Sequence, residues 1–307
     1  MKLVHNHIAW HVRIHQNDPQ RPYLVLIHGF MGCGRVFHPL FERLGTFCNP
    51  VTIDLIGHGE SEGSSEPSRY RTEALIQDLA SLLSRLQLDP FYLYGYSMGG
   101  RLVLQYAVAM AEAMQSNADQ EVNSDNTALK GELPRSSGLA PAGIILESTH
   151  PGISDEQDRL NRKRLDRERA ASLLEDPVRF CERWRELPLF TAARDVAQPL
   201  PGQAYETYLE GVQNPDWLAA CQIGFGTGSM PPVLNQLDRV PWPALLLSGR
   251  RDEKFIDLHL QMSQKLPRAV NRVVEGAAHR VHLDQPVRLV QELENFIRTS
   301  TINSTEP

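Results

Sequence analysis

Short apolar runs ending at glycine alternate with longer stretches of helical periodicity along most of the chain. Tyr23-Leu24-Val25-Leu26-Ile27-His28 is such a run, stopped by Gly29 as a central strand would be, and Val51-Thr52-Ile53-Asp54 begins another. Strand-like runs recur at Phe91 to Tyr94, Gly143 to Glu147, Ala244 to Leu247 and Asn271 to Val274, several separated by helix-length segments such as Thr72 to Leu86. Residues 2 to 15 alternate as a hairpin does. Strand and helix in alternation predict an α/β fold, a mostly parallel central sheet flanked by helices on both faces.

Two segments break this rhythm. Gln115 to Gly138 is polar, rich in Asn, Asp and Ser with Pro and Gly near its end, and reads as a mobile surface insert, 115–138, without catalytic candidates. Residues 151–231 hold helical patterns dense in Arg and Glu but no convincing strand, which predicts a helical cap inserted before the last strands. The core is then 1–150 and 232–307. The tail from Thr299 to Pro307, rich in Ser, Thr and Asn, reads as frayed.

With 307 residues, about two-fifths of them hydrophobic, the chain is long enough for one large domain with an insertion. A net charge of −6 argues against a generic binder of nucleic acid or anionic membrane, while leaving room for a local basic patch that holds a small anion. Cys33, Cys48, Cys181 and Cys221 lack the paired spacing of a zinc site or a disulfide scaffold. The N-terminus has no apolar signal-peptide core, and no stretch is long enough to span a bilayer. These features predict a cytoplasmic protein with no membrane insertion and no required protein partner.

Tyr94-Gly95-Tyr96-Ser97-Met98-Gly99-Gly100 changes the picture, because it sets G-x-S-x-G between a strand-like run and a helical pattern. A sharp strand-to-helix turn there displays a serine, with flanking glycines leaving the room that Cβ atoms would fill. The same spacing of small residues also occurs wherever a strand packs closely on a helix. Downstream, Leu247-Ser248-Gly249-Arg250-Arg251-Asp252 puts an acid after a strand and a glycine turn, and Gly276-Ala277-Ala278-His279 puts a histidine after the last strand. A serine hydroxyl needs an imidazole to exchange its proton, and the imidazole needs a carboxylate to fix its tautomer. Ser97, Asp252 and His279 supply all three in order. Asp257, inside a helix start, and Asp284, beyond the histidine, compete less well for the acid's place.

His28-Gly29-Phe30-Met31-Gly32 adds a loop after the first central strand, where the backbone N–H of Phe30, with that of Met98, would hold negative charge developing on oxygen. Gly57-His58-Gly59 marks another tight turn in which His58 reads as structural. Cys33 lies close in sequence, but nothing around it makes a second nucleophile.

On these motifs the chain resembles the α/β-hydrolase fold family over nearly its whole length. A narrower resemblance is carried by Gly95-Tyr96-Ser97-Met98-Gly99-Gly100-Arg101, by Glu147-Ser148-Thr149-His150-Pro151-Gly152, and by the charged run with Arg159, Arg162, Arg164, Asp166 and Arg167. It points to the MenH family, the 2-succinyl-6-hydroxy-2,4-cyclohexadiene-1-carboxylate synthases of menaquinone and phylloquinone biosynthesis. The resemblance implies a lyase that eliminates pyruvate from a multiply anionic cyclohexene, with the triad as general base and no metal or organic cofactor. It carries Arg101 and Arg162 over as substrate-anion ligands, Tyr96 as a pocket residue beside the serine, and Trp184 as a cap residue lining the site. On a helix Arg159, Arg162, Asp166 and Arg169 share one face and Lys163 and Arg167 another. Gln222-Ile223 stand where the family pattern leads one to expect a further arginine. The same triad would also serve a hydrolase of an ester or a carbon–carbon bond, or sit idle in a ligand receptor of this fold.

Overall fold

The computed structural model describes residues 1–122, 139–198, 200 and 214–302. Lys2–His5 (β1) and Ile8–Ile14 (β2) pair antiparallel as the expected hairpin. Tyr23–Ile27 (β3), Phe41–Leu44 (α1), Asn49–Ile53 (β4), Thr72–Leu86 (α2), Phe91–Tyr96 (β5), Met98–Val122 (α3) and Gly143–Glu147 (β6) follow. Four helices come next, Glu156–Glu175 (α4), Pro177–Arg185 (α5), Pro188–Thr191 (α6) and Pro215–Gly224 (α7). The chain then returns through Ala244–Gly249 (β7), Glu253–Ser263 (α8), Ala269–Val274 (β8), Val281–Asp284 (α9) and Pro286–Ile302 (α10).

The sheet order is β1-β2-β4-β3-β5-β6-β7-β8, parallel from β4 to β8, with the hairpin antiparallel at one edge. Alternation along each strand divides the core in two. Val25, Ile27 and Leu93 face a layer containing Leu79, Leu83, Leu102 and Val103 from α2 and α3, whereas Leu24, Leu26, Tyr92 and Tyr94 face Leu289, Leu293 and Phe296 from α10. Strands buried on both faces read as continuous apolar runs, which is why the sequence exposed them so readily.

Local chemistry explains the element ends. Gln87 closes α2 in a left-handed conformation, while the Asp155 side chain accepts from the Asp158 N–H at the start of α4 and Asp176 does the same for Arg179 at the start of α5. Two expectations change. Helix α3 continues to Val122, into the segment read as insert from Gln115, because Ala-Glu-Ala-Met-Gln is a run of strong helix formers whose polarity does not end a helix already nucleated on the sheet. The rest of that insert, 123–138, lies outside the described residues. Helix α10 likewise runs to Ile302, with the Thr299 hydroxyl donating to the Asn295 carbonyl at 2.8 Å; the end of the tail lies outside the described residues. No helix among the described residues is long and apolar enough to cross a membrane.

Candidate active site

Strand order reverses between β3 and β5, since β4 lies to one side of β3 and β6 to the far side of β5. Loops that leave the carboxyl ends of strands at such a point diverge and open a crevice. Phe30 follows β3 and Ser97 follows β5 there, and Asp252 and His279 follow β7 and β8 on the same edge.

Ser97 sits at φ 51°, in the left-handed region, with its N–H donating to the Glu147 carbonyl at 2.8 Å. That turn requires its glycines. A Cβ on Gly95 would lie 2.5 Å from the Gly100 Cα, and one on Gly99 would run into the Ile27 carbonyl. His279 Nδ1 lies 2.7 Å from Asp252 Oδ2, and because the carboxylate only accepts, Nδ1–H donates. Nε2 is then left to accept from the Ser97 hydroxyl, 3.0 Å away. Asp252 and His279 are buried, Ser97 only partly. Met98 opens α3, where the first N–H groups have no carbonyl four residues back within the helix, and it lines the cavity together with Phe30.

Below the triad a buried polar brace fixes the loop of His279. The Glu147 carboxylate accepts from the Tyr94 hydroxyl, from the His282 backbone N–H at 3.2 Å and from His282 Nδ1–H at 2.8 Å. Asp284 accepts the Ala278 N–H at 2.9 Å, so this competing acid holds the loop rather than the imidazole. Asp257 is exposed on α8. His259 is fully buried; its Nε2 accepts the Thr149 N–H at 3.0 Å and Nδ1–H faces the Ser248 hydroxyl at 2.8 Å. Burial first, with the nearby His279 adding, pulls its pKa down to about 3. His58 is structural as expected, buried against His28 and Phe30 and held near pKa 3 chiefly by burial. Cys33 is buried and its thiol pKa is raised by that burial. The four cysteines are free thiols.

The cavity over Ser97 has a volume of about 200 Å³ and, among the described residues, no carboxylate in its lining. Four cations line it instead. Arg101 stands one helical turn beyond Ser97, buried, with Nη1 donating to the Phe225 carbonyl at 2.5 Å and the guanidinium 4.8 Å from the Phe225 ring centre. Arg162 Nε donates to Asp166 Oδ1 at 2.8 Å, which leaves its two Nη groups for a ligand. Arg169, on the same face, lies 3.9 Å from Asp166 and 5.5 Å from the centre of the Trp184 ring. Lys254 completes the set from the start of α8. These charges raise one another's cost. Burial and then Arg162 bring the Arg101 pKa down to about 10, and the same two causes lower Arg169 and Lys254. His150, also in the wall, is pulled to about 3 by burial and then by Lys254, Arg101 and Arg162. Its Nδ1 accepts the Gly152 N–H at 3.0 Å, so the neutral ring carries its proton on Nε2.

The structure thus brings together Ser97, Met98, Phe30, Arg101, Arg162, Trp184 and His279 around one space, with Asp252 behind the histidine. It does not bring Tyr96 there. Period-two alternation sends the residue before the serine to the other face of β5, with Tyr92 and Tyr94, and Tyr96 lines a neighbouring cavity while its ring packs on His279 and His282. Arg164 and Arg167 are exposed, and Arg159 is half-buried outside the cavity lining. Gln222, in place of the expected arginine, donates to Asp166 Oδ1 at 2.7 Å and so steadies the carboxylate that holds Arg162. Sequence reasoning missed Lys254, although its place two residues after Asp252 puts it on the same loop. It also missed Ser148, at φ 49° in the wall with a buried hydroxyl that no group among the described residues bonds. Among the described residues no group of three or more side chains has metal-ligand geometry.

Comparison with known proteins gives a consistent picture. The model of the alpha/beta hydrolase family matches residues 24–292. A protein of Bacillus subtilis named putative 2-succinyl-6-hydroxy-2,4-cyclohexadiene-1-carboxylate synthase is 30% identical over 278 residues, 90% of this chain and 90% of that one. The synthase of that name from Salmonella arizonae is 30% identical over 293 residues, 92% of this chain and 98% of the other. MenH from S. aureus superposes with a TM-score of 0.78 at 27% identity, covering 95% and 99% of the two chains. An esterase from Exiguobacterium antarcticum reaches 0.70 at 15% identity, over 95% and 96%, and shares the fold alone.

Proposed function

The chain belongs to the alpha/beta hydrolase family and, within it, to the 2-succinyl-6-hydroxy-2,4-cyclohexadiene-1-carboxylate synthases, and on that premise we propose how its residues carry out the reaction. It is a lyase that converts 2-succinyl-5-enolpyruvyl-6-hydroxy-3-cyclohexene-1-carboxylate to the synthase product and pyruvate, in menaquinone or phylloquinone biosynthesis. The substrate carries several carboxylates. The observation that carries the reading is a serine triad facing a cavity whose wall, among the described residues, holds four cations and no carboxylate.

Ser97 Oγ, made basic by His279 and Asp252, takes the ring proton at C2, alpha to the succinyl ketone, and passes its own to His279 Nε2. The electron pair moves onto the ketone oxygen, where the Phe30 and Met98 N–H groups receive the charge. The enolate then collapses through the C3–C4 double bond. The C5–O bond breaks, leaving the 2,4-diene, and the departing enolate takes at its methylene carbon the proton held on His279 and becomes pyruvate. No acyl-enzyme forms. Arg101 and Arg162 hold substrate carboxylates through the planar fork of the guanidinium, and Arg169 and Lys254 add charge where Gln222 replaces an arginine. Trp184 lines the wall beside Arg169. Residues 151–231 act as a cap on the core formed by 1–150 and 232–307. The reading carries with it a cytoplasmic location and a small anionic substrate, with no metal or organic cofactor and no nucleic-acid, membrane or obligate protein partner.

The test is pyruvate release from freshly generated enolpyruvyl substrate by wild type and Ser97→Ala, corrected for spontaneous elimination, with an aryl ester run alongside. Expected are rapid release, a loss of about 10²- to 10⁴-fold in Ser97→Ala and feeble ester cleavage. Release at the background rate with Ser97-dependent ester cleavage would overturn the lyase in favour of a hydrolase.

A further inference from the structure

A second cavity, about 60 Å³, lies beside the first, and the rings of Phe30, Trp184 and Phe190 line both, so they form the partition between them. Among the described residues two arginines line this smaller space and no carboxylate does. Arg185, the last residue of α5, buries its Nε without a hydrogen-bond partner among the described residues. Arg280 follows His279 directly; it donates through Nη2 to the Phe190 carbonyl at 3.2 Å, and its guanidinium lies 4.8 Å from the Phe190 ring centre. Tyr96 lines the same space. Burying an unpartnered guanidinium nitrogen is costly, and an anion relieves it.

We propose that this cavity is a binding site for one small carboxylate, pyruvate, taken between Arg185 and Arg280 as it leaves the catalytic space across the aromatic partition. The size fits: about 60 Å³ admits a few water-sized groups, which suits a keto acid and not the cyclohexene. Two guanidinium forks suit a carboxylate, and the Tyr96 hydroxyl offers a donor for a keto oxygen. The identity of the ligand rests on the lyase reading; the existence of an anion site here does not.

The experiment titrates the full-length protein with pyruvate, followed by ligand-observed NMR, in wild type, Arg185→Gln, Arg280→Gln and Arg101→Gln, with the neutral amide of pyruvate as control. Circular dichroism checks that each variant is folded. Expected are saturable millimolar binding to wild type, about ten-fold weaker binding in Arg185→Gln and in Arg280→Gln, unchanged binding in Arg101→Gln, and none of the amide. Binding lost in Arg101→Gln but kept in the other two would overturn the proposal by moving the anion to the catalytic cavity, as would an absence of saturable binding. Turnover is read separately. If pyruvate release fails while the binding pattern holds, the small-carboxylate site stands and the lyase falls; if release succeeds and the pattern fails, the site falls and the lyase stands.

Discussion

Around the triad the histidines and carboxylates are bonded within the protein, whereas around Arg162 positive charge gathers in one wall. On the first side Asp252 fixes His279, Glu147 fixes His282, and His259 is held at both ring nitrogens. On the second, Arg101, Arg162, Arg169 and Lys254 crowd one wall, where burial and then the Arg162 charge lower the pKa of the other three, with Asp166 as the buried carboxylate that holds Arg162. The difference separates what the fold supplies from what selects the substrate. A pre-bonded frame serves any reaction that needs a basic hydroxyl and an oxyanion site. Four cations around the single carboxylate of Asp166 leave an excess of positive charge that suits an anion.

The sharpest way to break this contrast is to remove charge without touching the frame. Arg101→Gln and Arg162→Gln should each lower kcat/KM for pyruvate elimination by roughly 10- to 100-fold, the range expected for lost charge-assisted hydrogen bonds, with Arg169→Gln and Lys254→Met at the lower end. Residual cleavage of a neutral aryl ester should stay within about two-fold by the same ratio. An equal fall on both substrates would mean that the arginines support the frame, and the contrast would fail.

A complementary change strikes the frame alone. Glu147→Gln replaces one of two acceptor oxygens, Oε2 that takes the Tyr94 hydroxyl or Oε1 that takes the His282 ring and backbone N–H, and should cost about 1–3 kcal/mol in urea unfolding while leaving KM for the anionic substrate near wild type. A raised KM with unchanged stability would place Glu147 among the selecting groups instead.

Smallest, and most discriminating, is the acid limb of stability. His150 and His259 have folded pKa values near 3 against an ordinary 6.5. Between those values the unfolded chain takes up protons that the folded chain refuses. Stability is therefore fully present above pH 6.5 and drains away as pH falls toward 3, by up to on the order of 1 kcal/mol per pH unit for each group. His150 owes part of its shift to Lys254, Arg101 and Arg162, so a bound polycarboxylate should flatten its share of the slope. The His259 share, set chiefly by burial, should persist. Thermal melts from pH 7 to 4 with and without such a ligand, in wild type and His259→Asn, measure both; identical slopes in all of them would show that the two walls do not differ.

What could be read from the chain follows the same division. The strands and the triad were legible because parallel strands are uninterrupted apolar runs and because their carboxyl ends are marked by glycine beside Ser97, Asp252 and His279. Tyr96 lines the neighbouring cavity rather than the one over Ser97, and strand alternation gives the reason, since adjacency in sequence to Ser97 means opposite faces of β5. Lys254 went unnoticed because a lysine after an acid reads as an ordinary charged helix start; only the fold turns it toward Arg162. The continuation of α3 past Gln115 was hidden by polar composition, which marks solvent exposure and not the end of a helix. Glu147 and His282 are 135 residues apart, so the brace between them has no signature along the chain.

The glycines of the serine turn have a consequence for how such a protein changes over generations. Gly95 and Gly99 admit no side chain without backbone collision, so the turn tolerates almost no drift, while the inward face of α4 can exchange one cation at a time and still fold. Descendants of a common ancestor should therefore keep the turn and diverge on that helix, acquiring or losing a taste for anions by a few surface-like steps above a frame that stays frozen.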